Sequence, residues 1–507
     1  MGFARPRRGP AIALAIRLIP SQLASMNASV PRFSRNNSDD RPGAAPDSSS
    51  LTRREFLRTA ALAGLAAPLL VSCETPQPTR RAHFSSDKLR QACIGVGGMG
   101  ANDLQNFLQH KNVEVVALCD VDSTALDAAA KLAPAARRYR DWRELLAKEH
   151  TNIDSVNVAV PDHMHFAIAY NAIRNGKHVY CQKPMCHDVA EVRTLTRAAL
   201  TFGVVTQLGT QGAASVHERT AVRWLHEGVI GKITRAYLCS NRPGAVEQYR
   251  LTGPRPATGQ QPPPNLDWDL WIGTAPMRPY APDIYHPVKW RAWQDFGTGW
   301  SGDIGCHIFD PVWKGLGLSA PLTVTAEVQE SWANSPQRRA DTWPQGDHIT
   351  WTFPANQKIA GTELVVEWFD GSYYPPEHIR KLYSANLSEY PSESSILIGT
   401  AGALLIPYGY PPQLLPEEKF LKMQRPTLPP RNHYHQFVDA CLGKGTADSD
   451  FSISGPMSET VLLGTVAIRV PGRKLRWDTS TLRFDNVPEA NALLSRTYRK
   501  GWHAGKF

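Results

Sequence analysis

The stretch Gln91-Ala92-Cys93-Ile94-Gly95-Val96-Gly97-Gly98-Met99-Gly100 decides the fold that this sequence predicts. Its apolar part, Ala92–Val96, has the composition of a buried strand, and the glycines that follow lead directly into a helical pattern. Glycine permits a tight turn, a close backbone approach to a pyrophosphate and close packing of helix on strand. The first amides of the helix also attract phosphate oxygens. We therefore expect a dinucleotide-binding turn with cofactor contacts from Gly95, Gly97, Gly98, Met99 and Gly100.

An acidic residue stands where such a turn needs one. Asp120 follows the second predicted strand, Val113–Leu118, 20 residues past Gly100. A carboxylate at this point can accept a hydrogen bond from the ribose 2′-hydroxyl, whereas a 2′-phosphate would meet like charge. The sequence therefore favours NAD over NADP, although the nearby Arg137 and Arg138 would suit the phosphate.

Short apolar runs alternate with amphipathic stretches from about residue 90 to residue 209. Strands that alternate with helices predict a doubly wound parallel sheet, so we assign residues 89–209 to a Rossmann domain. The predicted strands are Ala92–Val96, Val113–Leu118, Ser155–Ala159, His178–Cys181 and Val204–Leu208. The predicted helices are Gly100–His110, Ser123–Leu132, Trp142–Lys148, Phe166–Asn175 and Val189–Phe202.

The pattern changes after Gly209. Longer β-like runs predict a second, α+β domain over residues 210–480 with a largely antiparallel open sheet, followed by a C-terminal tail at 481–507. Its predicted strands are Lys232–Ser240, Leu322–Gln329, His348–Phe353, Leu364–Phe369 and one run at Ser394–Leu405. A helix is predicted at Val216–Glu227, and two later helices, Tyr434–Cys441 and Ser458–Arg469, are not assigned to either domain.

Composition and charge narrow the class of protein. The 507 residues are 42% hydrophobic and 20% charged, with a formal net charge of +10. Residues 1–72 hold ten Lys or Arg and four Asp or Glu, so more than half of the excess lies there. Since no basic cluster follows, nucleic acid is not expected as a partner. The cysteines form no CxxC pair and predict neither a zinc site nor a disulfide framework.

The first 88 residues are interpreted as a leader and a linker. Residues 1–50 have the composition of a disordered segment. Within residues 51–73, Arg53-Arg54 with Phe56 and a 13-residue apolar run has the form of a twin-arginine signal, and the run is too short to span a bilayer. It ends in Leu70-Val71-Ser72-Cys73, which resembles a lipobox. We therefore predict export to the periplasm, with a lipid anchor at Cys73 as an open question and residues 74–88 as a linker.

Three further side chains are candidates for chemistry. Lys183 follows a predicted buried strand, where open α/β sheets bind ligands, and its ammonium can donate a hydrogen bond to a substrate oxygen. Asp303 and His307 are four residues apart, so on a helix they share one face. A carboxylate beside an imidazole suits a proton acceptor near neutral pH. Taken singly, these residues are more often a solvated lysine and a surface Asp–His pair than catalytic groups.

Together the motifs resemble the Gfo/Idh/MocA family, the glucose–fructose oxidoreductases and inositol dehydrogenases. The resemblance runs from about Leu89 to Trp477. It rests on the glycine motif, Cys119-Asp120-Val121-Asp122, Pro161-Asp162-His163-Met164-His165, Lys183-Pro184, and Asp303 with His307. The segments 266–273 and 290–297 resemble its exported, sugar-associated branch. The resemblance implies hydride transfer between a substrate C–OH and a nicotinamide, with His307 taking the proton, Asp303 orienting it, Lys183 polarising the oxygen, and Pro161 and His165 near the cofactor.

Other features depart from that pattern or lie outside it. The family usually has Glu-Lys-Pro, but here the first position is Gln182, which removes a carboxylate beside Lys183. Six of the 14 tryptophans fall between 268 and 313, a region where aromatic faces could stack on a sugar. From it we name Tyr285, His286, Trp290 and Arg291 as guesses for substrate contacts. The family also implies a homo-oligomer, a dimer or a tetramer.

Three functions remain open on the sequence. The first is an exported, NAD-dependent oxidoreductase that acts on a sugar, glycoside or cyclitol. The second is a glycosidase or lyase that oxidises the sugar transiently with a tightly bound NAD and returns the hydride; export favours retention of the cofactor, because no free nicotinamide pool is expected outside the cytoplasm. The third is a non-catalytic binding protein of the same fold, which Gln182 motivates. The sequence predicts no metal site.

Overall fold

The computed structural model describes residues 87–242 and 254–502. Outside the described residues lie the predicted leader at 1–50, the twin-arginine segment at 51–73 and nearly all of the linker at 74–88. Residues 243–253 of the second predicted domain also lie outside them.

A six-stranded parallel sheet forms the first domain. Its strands lie in the order β3-β2-β1-β4-β5-β6, which places the glycine-rich turn at the point where the strand order reverses. The strands are β1 Leu89–Ile94, β2 Val113–Cys119, β3 Arg137–Tyr139, β4 Ser155–Val158, β5 His178–Cys181 and β6 Thr206–Leu208. This confirms the predicted doubly wound sheet. The short strand β3 was missed because its three residues, Arg-Arg-Tyr, carry no apolar run.

Five helices connect these strands. They are α1 Gly98–Leu108, α2 Ser123–Leu132, α3 Trp142–Glu149, α4 Asp162–Arg174 and α5 Val189–Phe202. Carboxylates begin three of them: Asp122 and Asp141 accept backbone amides at α2 and α3, and Asp188 forms a capping box with Glu191 at α5. Helix α4 starts at Asp162 rather than at the predicted Phe166. The preceding proline, Pro161, stands at its N-cap, so the helix gains a turn that the apolar pattern did not show.

A nine-stranded sheet forms the second domain, in the order β13-β12-β11-β7-β10-β9-β8-β14-β15. Its strands are β7 Ile233–Ser240, β8 Thr323–Val328, β9 Asp347–Pro354, β10 Glu363–Asp370, β11 Glu393–Gly399, β12 Gly402–Pro407, β13 Gln413–Leu415, β14 Leu475–Asp478 and β15 Arg483–Phe484. Strands β7 and β10 pair in parallel, and the other neighbours are antiparallel. The largely antiparallel sheet is thus confirmed. The predicted single run at Ser394–Leu405 was wrong: it is a hairpin, β11 and β12, in which Gly399 pairs with Gly402 across a two-residue turn.

The remaining helices are α6 Val216–Glu227, α7 Trp268–Ile272, α8 Gly299–Leu316, α9 Glu330–Ala333, α10 Pro336–Asp341, α11 Glu377–Arg380, α12 His433–Cys441, α13 Phe451–Arg469 and α14 Pro488–Asn491. Short 3-10 helices occur at Gln211–Ala214, Lys289–Ala292, Leu387–Glu389 and Glu417–Phe420.

Two late helices join the domains' cores. Helix α12 packs on the first domain, where Tyr434 and Phe437 contact the rings of Phe107 and Tyr180. Helix α13 contacts α5 on one side and α8 and β8 on the other. Its length and hydropathy would allow a membrane span, but 83% of its most apolar window is buried within the protein. It therefore packs as a core helix.

The chain after β14 returns to the first domain. Arg496 is buried there, where its guanidinium donates to Asp188 at 2.9 Å and to Glu191 at 3.1 Å. The same guanidinium donates to the carbonyl oxygen of His163 at 2.5 Å. The start of α4 and the capping box of α5 are thus connected through one cation.

Candidate active site

The glycine-rich turn leaves no room for side chains at two positions. Gly95 has φ of +76°, and a Cβ there would lie 2.5 Å from the carbonyl oxygen of Ala159. A Cβ on Gly100 would overlap the carbonyl oxygen of Gly95. These contacts hold the start of α1 against β1 and β4, as the motif predicts.

The other side of the turn is open. Gly98 has no atom within 4 Å of a Cβ built on it, and Met99 is 41% exposed. A Cβ on Gly97 would face Ala125 at 3.3 Å and the Oδ2 atom of Asp120 at 4.0 Å. The start of an eleven-residue helix therefore lies beside a carboxylate with no side chain between them. This arrangement fits a dinucleotide, with phosphates at the helix N-terminus and a ribose at Asp120.

Asp120 is held in place by backbone amides. Val96 donates to its Oδ2 atom at 2.8 Å and Asp122 donates to its Oδ1 atom at 2.9 Å. Burial raises the pKa of Asp120 above its ordinary value, although both amides act in the opposite direction. The two arginines that suited a 2′-phosphate are paired elsewhere: Arg137 with Glu149, and Arg138 with Asp127 at 2.8 Å.

Lys183 and Asp303 meet across 120 residues of sequence. Lys183 follows β5, and its Nζ atom donates to the Oδ1 atom of Asp303 at 2.5 Å. The Nε atom of Arg291 lies 3.3 Å from the other oxygen, Oδ2. Burial alone would raise the pKa of Asp303, but the charges of Lys183 and Arg291 outweigh it and lower the pKa to about 2. A carboxylate between two cations thus lies at the carboxyl end of the parallel sheet.

His307 lies one turn after Asp303 on α8 and is buried. Its Nδ1 atom has no hydrogen-bond partner, and its ring centroid lies 5.3 Å from that of Tyr408. Burial and the charge of Lys183 lower the pKa of His307 to about 3, so its imidazole is neutral near pH 7. Asp303 pairs with two cations, Lys183 and Arg291, and its predicted role in orienting His307 stays a prediction.

His165 connects two backbone segments next to the site through its ring nitrogens. Its Nδ1 atom lies 2.7 Å from the carbonyl oxygen of Pro184, and its Nε2 atom lies 2.8 Å from that of Val160. Burial lowers its pKa to about 4, so the neutral ring donates to one of these oxygens at a time. His165 therefore connects the turn after β4, which contains Pro161, to the peptide that carries Lys183. It is fully buried, which fits positioning better than direct contact with a ligand.

The sequence reasoning missed a second acid beside Asp303. Asp162 begins α4, and its Oδ2 atom accepts a hydrogen bond from Thr298 at 3.0 Å. Burial and the negative charge of Asp303 raise its pKa to about 7, despite the opposing charge of Arg291. Asp162 was quoted only as part of the motif around His165, and no signal in the sequence sets it beside Asp303, 141 residues away.

Gln182 also has an unexpected partner. Its Nε2 atom donates to both oxygens of Asp103 on α1, at 2.9 and 3.0 Å, and the hydroxyl of Tyr434 donates to Oδ1 at 2.9 Å. Burial raises the pKa of Asp103 to about 6, although these donors lower it. The carboxylate that the family places before the lysine is thus replaced by an amide that binds a carboxylate from another element.

The four residues guessed as substrate contacts lie in different environments. Tyr285 is 0% exposed and Trp290 is 6% exposed, so both rings are packed within the protein, and their contact with a substrate stays a prediction. All six tryptophans between 268 and 313 are likewise buried. His286 pairs with Asp122 at 3.2 Å, two residues past Asp120. Arg291 is the guess that the structure brings to Asp303 and Lys183.

The fold and site define an α/β protein with a dinucleotide-binding type of turn in its first domain and a largely antiparallel sheet in its second. Comparison with protein families agrees: residues 89–210 match the oxidoreductase family with an NAD-binding Rossmann fold, and residues 215–361 match the C-terminal α/β domain of the same family. The chain belongs to the Gfo/Idh/MocA oxidoreductase family.

Individual relatives cover parts of the chain. A glycosyl hydrolase family 109 protein from Saccharopolyspora erythraea is 31% identical over 208 residues, which are 37% of this chain and 45% of that protein. A D-apiose dehydrogenase from Paraburkholderia graminis is 30% identical over 28% of this chain and 38% of that protein. The matched region thus spans less than half the length of these two curated relatives.

Solved structures show the same fold over most of the chain. The WlbA dehydrogenase from Bordetella pertussis, in complex with NADH and UDP-GlcNAcA, has a TM-score of 0.53 and 16% identity, covering 77% of this chain and 99% of that one. An aldose–aldose oxidoreductase from Caulobacter crescentus, complexed with glycerol, has a TM-score of 0.50 and 16% identity, covering 77% and 100%. At this identity the likeness concerns the fold.

Proposed function

We propose that this protein is an NAD-dependent oxidoreductase that acts on a C–OH group of a sugar, glycoside or cyclitol. The observation that carries the proposal is the cluster of Lys183, Asp303 and His307 at the carboxyl end of β5. The glycine-rich turn and Asp120 follow strands of the same parallel sheet at their carboxyl ends, so the proposed catalytic cluster and the proposed dinucleotide site lie at the same edge of the sheet. Sugar dehydrogenases among the partial relatives support the substrate class.

Each residue has a distinct role in this proposal. When bound, the nicotinamide supplies the acceptor or donor of the hydride. The Nζ atom of Lys183 donates a hydrogen bond to the substrate oxygen and stabilises negative charge that develops there. Asp303 holds that ammonium in place, and Arg291 keeps Asp303 ionised. The neutral imidazole of His307 has a free lone pair and accepts the hydroxyl proton.

Support for NAD rather than NADP comes from charge. Asp120 lies at the ribose position, where it would repel a 2′-phosphate, and Arg137 and Arg138 both pair with carboxylates of their own domain. We propose that the cofactor is retained between turnovers. Export through the twin-arginine route, with Cys73 as a lipid acceptor, remains part of the proposal on the sequence of residues 51–73. A homo-oligomer is proposed from the family resemblance.

A second candidate is a redox-assisted glycosidase or lyase, which oxidises the sugar, eliminates an adjacent bond and returns the hydride. One structural observation favours it. Such a reaction needs a group that protonates the leaving oxygen, and Asp162, with its pKa raised to about 7, carries a proton near neutral pH beside Asp303. Several partial relatives bear the name glycosyl hydrolase family 109 protein, which agrees with this candidate.

The experiment that separates the candidates starts with protein purified without added cofactor. Denaturation and mass spectrometry identify the released nucleotide. Intact protein is then mixed with sugars and aryl glycosides while the absorbance of reduced nicotinamide and the released aglycone are followed. Lasting reduction by a sugar supports the oxidoreductase, and cleavage without net reduction supports the glycosidase. Protein that neither contains nor takes up NAD or NADP contradicts both.

Two lysines that flank β5 give a matched pair of variants. Lys183→Met removes the ammonium from the catalytic end, and we expect kcat/KM to fall about a hundredfold or more because transition-state stabilisation is lost. Lys177→Met alters the opposite end of the strand, where the ammonium donates to the backbone oxygen of Ile153 at 2.9 Å, and should leave kcat/KM within about threefold. Equal losses in both variants would contradict the role given to Lys183.

A further inference from the structure

A segment of the second domain returns to the strand that presents Asp120. The backbone of Ser123 donates to Asn265 at 2.9 Å, and the backbone of Asp267 donates to Val121 at 3.0 Å. Asp122 and Leu266 form an antiparallel bridge at the same place. Residues 265–267 thus pair through their backbone with residues 121–123, which follow β2 and lie next to the proposed ribose site.

Two side chains strengthen this contact by binding the same carboxylate. The Nδ2 atom of Asn265 donates to the Oδ1 atom of Asp122 at 2.8 Å, and the Nε2 atom of His286 lies 3.2 Å from its Oδ2 atom. The carboxylate also caps α2 through Thr124 at 2.9 Å. We call the contacts of Asn265 and His286 with Asp122 the ribose-edge latch. The backbone amide of Asp122 donates to Asp120, so the latch orients the ribose carboxylate through its neighbour.

The same stretch of chain also contacts the start of α4. Trp271 accepts from the ring of His163 at the start of α4 at 3.1 Å, and Thr274 donates to the carbonyl oxygen of His163 at 2.8 Å. Farther on, Arg291 pairs with Asp303 in the catalytic cluster. Residues 265–303 therefore contact the first domain beside Asp120, at the start of α4 and, through Asp303, at Lys183.

We propose that the ribose-edge latch retains the dinucleotide: Asn265 and His286 are positioning residues that hold residues 265–286 against Asp122 and slow cofactor release. The inference rests on the proposed binding of NAD(H) at Asp120. It gives a physical basis for a cofactor kept between turnovers, because a segment held beside Asp120 must move away before a nucleotide bound there is released. Each latch side chain adds a hydrogen bond to a charged group, which is stronger than a neutral one.

The test measures release without any sugar. Full-length protein is loaded with NADH, mixed with excess NAD+, and the loss of bound NADH fluorescence is followed over time. We expect His286→Ala and Asn265→Ala each to release NADH about tenfold faster than wild type, and the double variant faster still. His286→Gln keeps a donor for Asp122 and should release within about threefold of wild type. His150→Ala, which replaces an exposed histidine of the first domain, is the control.

The outcomes separate this proposal from the proposed function. A folded double variant that binds NADH and releases it at the wild-type rate overturns the latch while the oxidoreductase stands. The same holds if His150→Ala accelerates release as much as His286→Ala. Wild-type protein that takes up no dinucleotide overturns both proposals. If His286→Ala does not fold, Asn265→Ala decides, because its backbone contacts with Ser123 remain.

Discussion

At the scale of single residues, the pairing of Gln182 with Asp103 shows how a departure from a family motif can be compensated. The amide of Gln182 donates to both oxygens of the buried Asp103, so one carboxyl group remains close to the residue that precedes Lys183. That carboxyl group comes from α1, a helix that begins at the glycine-rich turn. The helix that follows the glycine-rich turn and the end of strand β5 are therefore connected by a buried polar contact.

Exchanging the two groups tests this interpretation. Gln182→Glu alone would bury two carboxyl groups about 3 Å apart, and we expect it to lower the free energy of unfolding by about 3 kcal/mol at pH 8, and by less at pH 5, where one carboxyl keeps its proton. The double variant Asp103→Asn with Gln182→Glu swaps amide and carboxylate and should recover most of the loss. Urea unfolding of wild type, Gln182→Glu, Asp103→Asn and the double variant measures the coupling. A double variant no more stable than Gln182→Glu would contradict the pairing.

Among the secondary-structure elements, the turn between β1 and α1 contains one glycine that the packing requires and another that faces the proposed cofactor site. Gly100 packs against the backbone of Gly95, whereas Gly97 faces the open side toward Asp120. Substitutions at the two positions should therefore have different consequences, although both residues belong to one motif.

We expect Gly100→Ala to destabilise the protein by about 3 kcal/mol or more, because its methyl group overlaps backbone that cannot move aside. Gly97→Ala should fold, at a cost of about 1 kcal/mol, and bind NADH at least about tenfold more weakly, because its methyl group lies where the pyrophosphate approaches. Urea unfolding and fluorescence titration with NADH measure the two effects. The control is Gly203→Ala, which has open space around it and costs only the strain of a positive φ. A Gly97→Ala variant with unchanged NADH affinity would contradict the proposed position of the cofactor.

Across the whole protein, the buried histidines and the buried Asp162 change the stability in opposite directions as the pH rises. His165, His307 and His433 have pKa values lowered by burial to about 4, 3 and 4. Their contribution to stability is present above their ordinary pKa of 6.5 and is lost as the pH falls. Asp162 has a raised pKa of about 7, so its contribution is full below 3.8 and is lost as the pH rises to 7.

The variant Asp162→Asn isolates the second effect. Asn can still accept the hydrogen bond of Thr298 and carries no charge beside Asp303. Between pH 4.5 and pH 8 we expect the stability of the variant to rise by about 2 to 4 kcal/mol relative to wild type. Urea unfolding at several pH values measures the difference, with Asp127→Asn, an exposed carboxyl of the same domain, as the control. A difference that does not change with pH would show that Asp162 is ionised in the folded protein throughout this range.

Much of the architecture was predictable from local pattern. Helices α2, α5 and α6 and strand β5 have the predicted bounds, because apolar periodicity and capping residues such as Asp122 are local signals. The hairpin of β11 and β12 was read as one run because both of its strands are apolar and the turn between them is short. The start of α13 was placed seven residues late, since Asp450 caps it ahead of the apolar pattern.

The Rossmann domain and the family were predictable from short stretches of sequence, because glycine spacing and strand–helix alternation are local signals. The partners of the candidate site residues became visible in the folded chain: Lys183 with Asp303, Gln182 with Asp103, Asp162 beside Asp303, and His286 with Asp122. The tertiary structure also decided that Tyr285 and Trp290 are core residues, since a local sequence does not show whether an aromatic ring is covered. Ion pairs and burial depend on which distant segments are packed together, and that packing is a property of the folded chain as a whole.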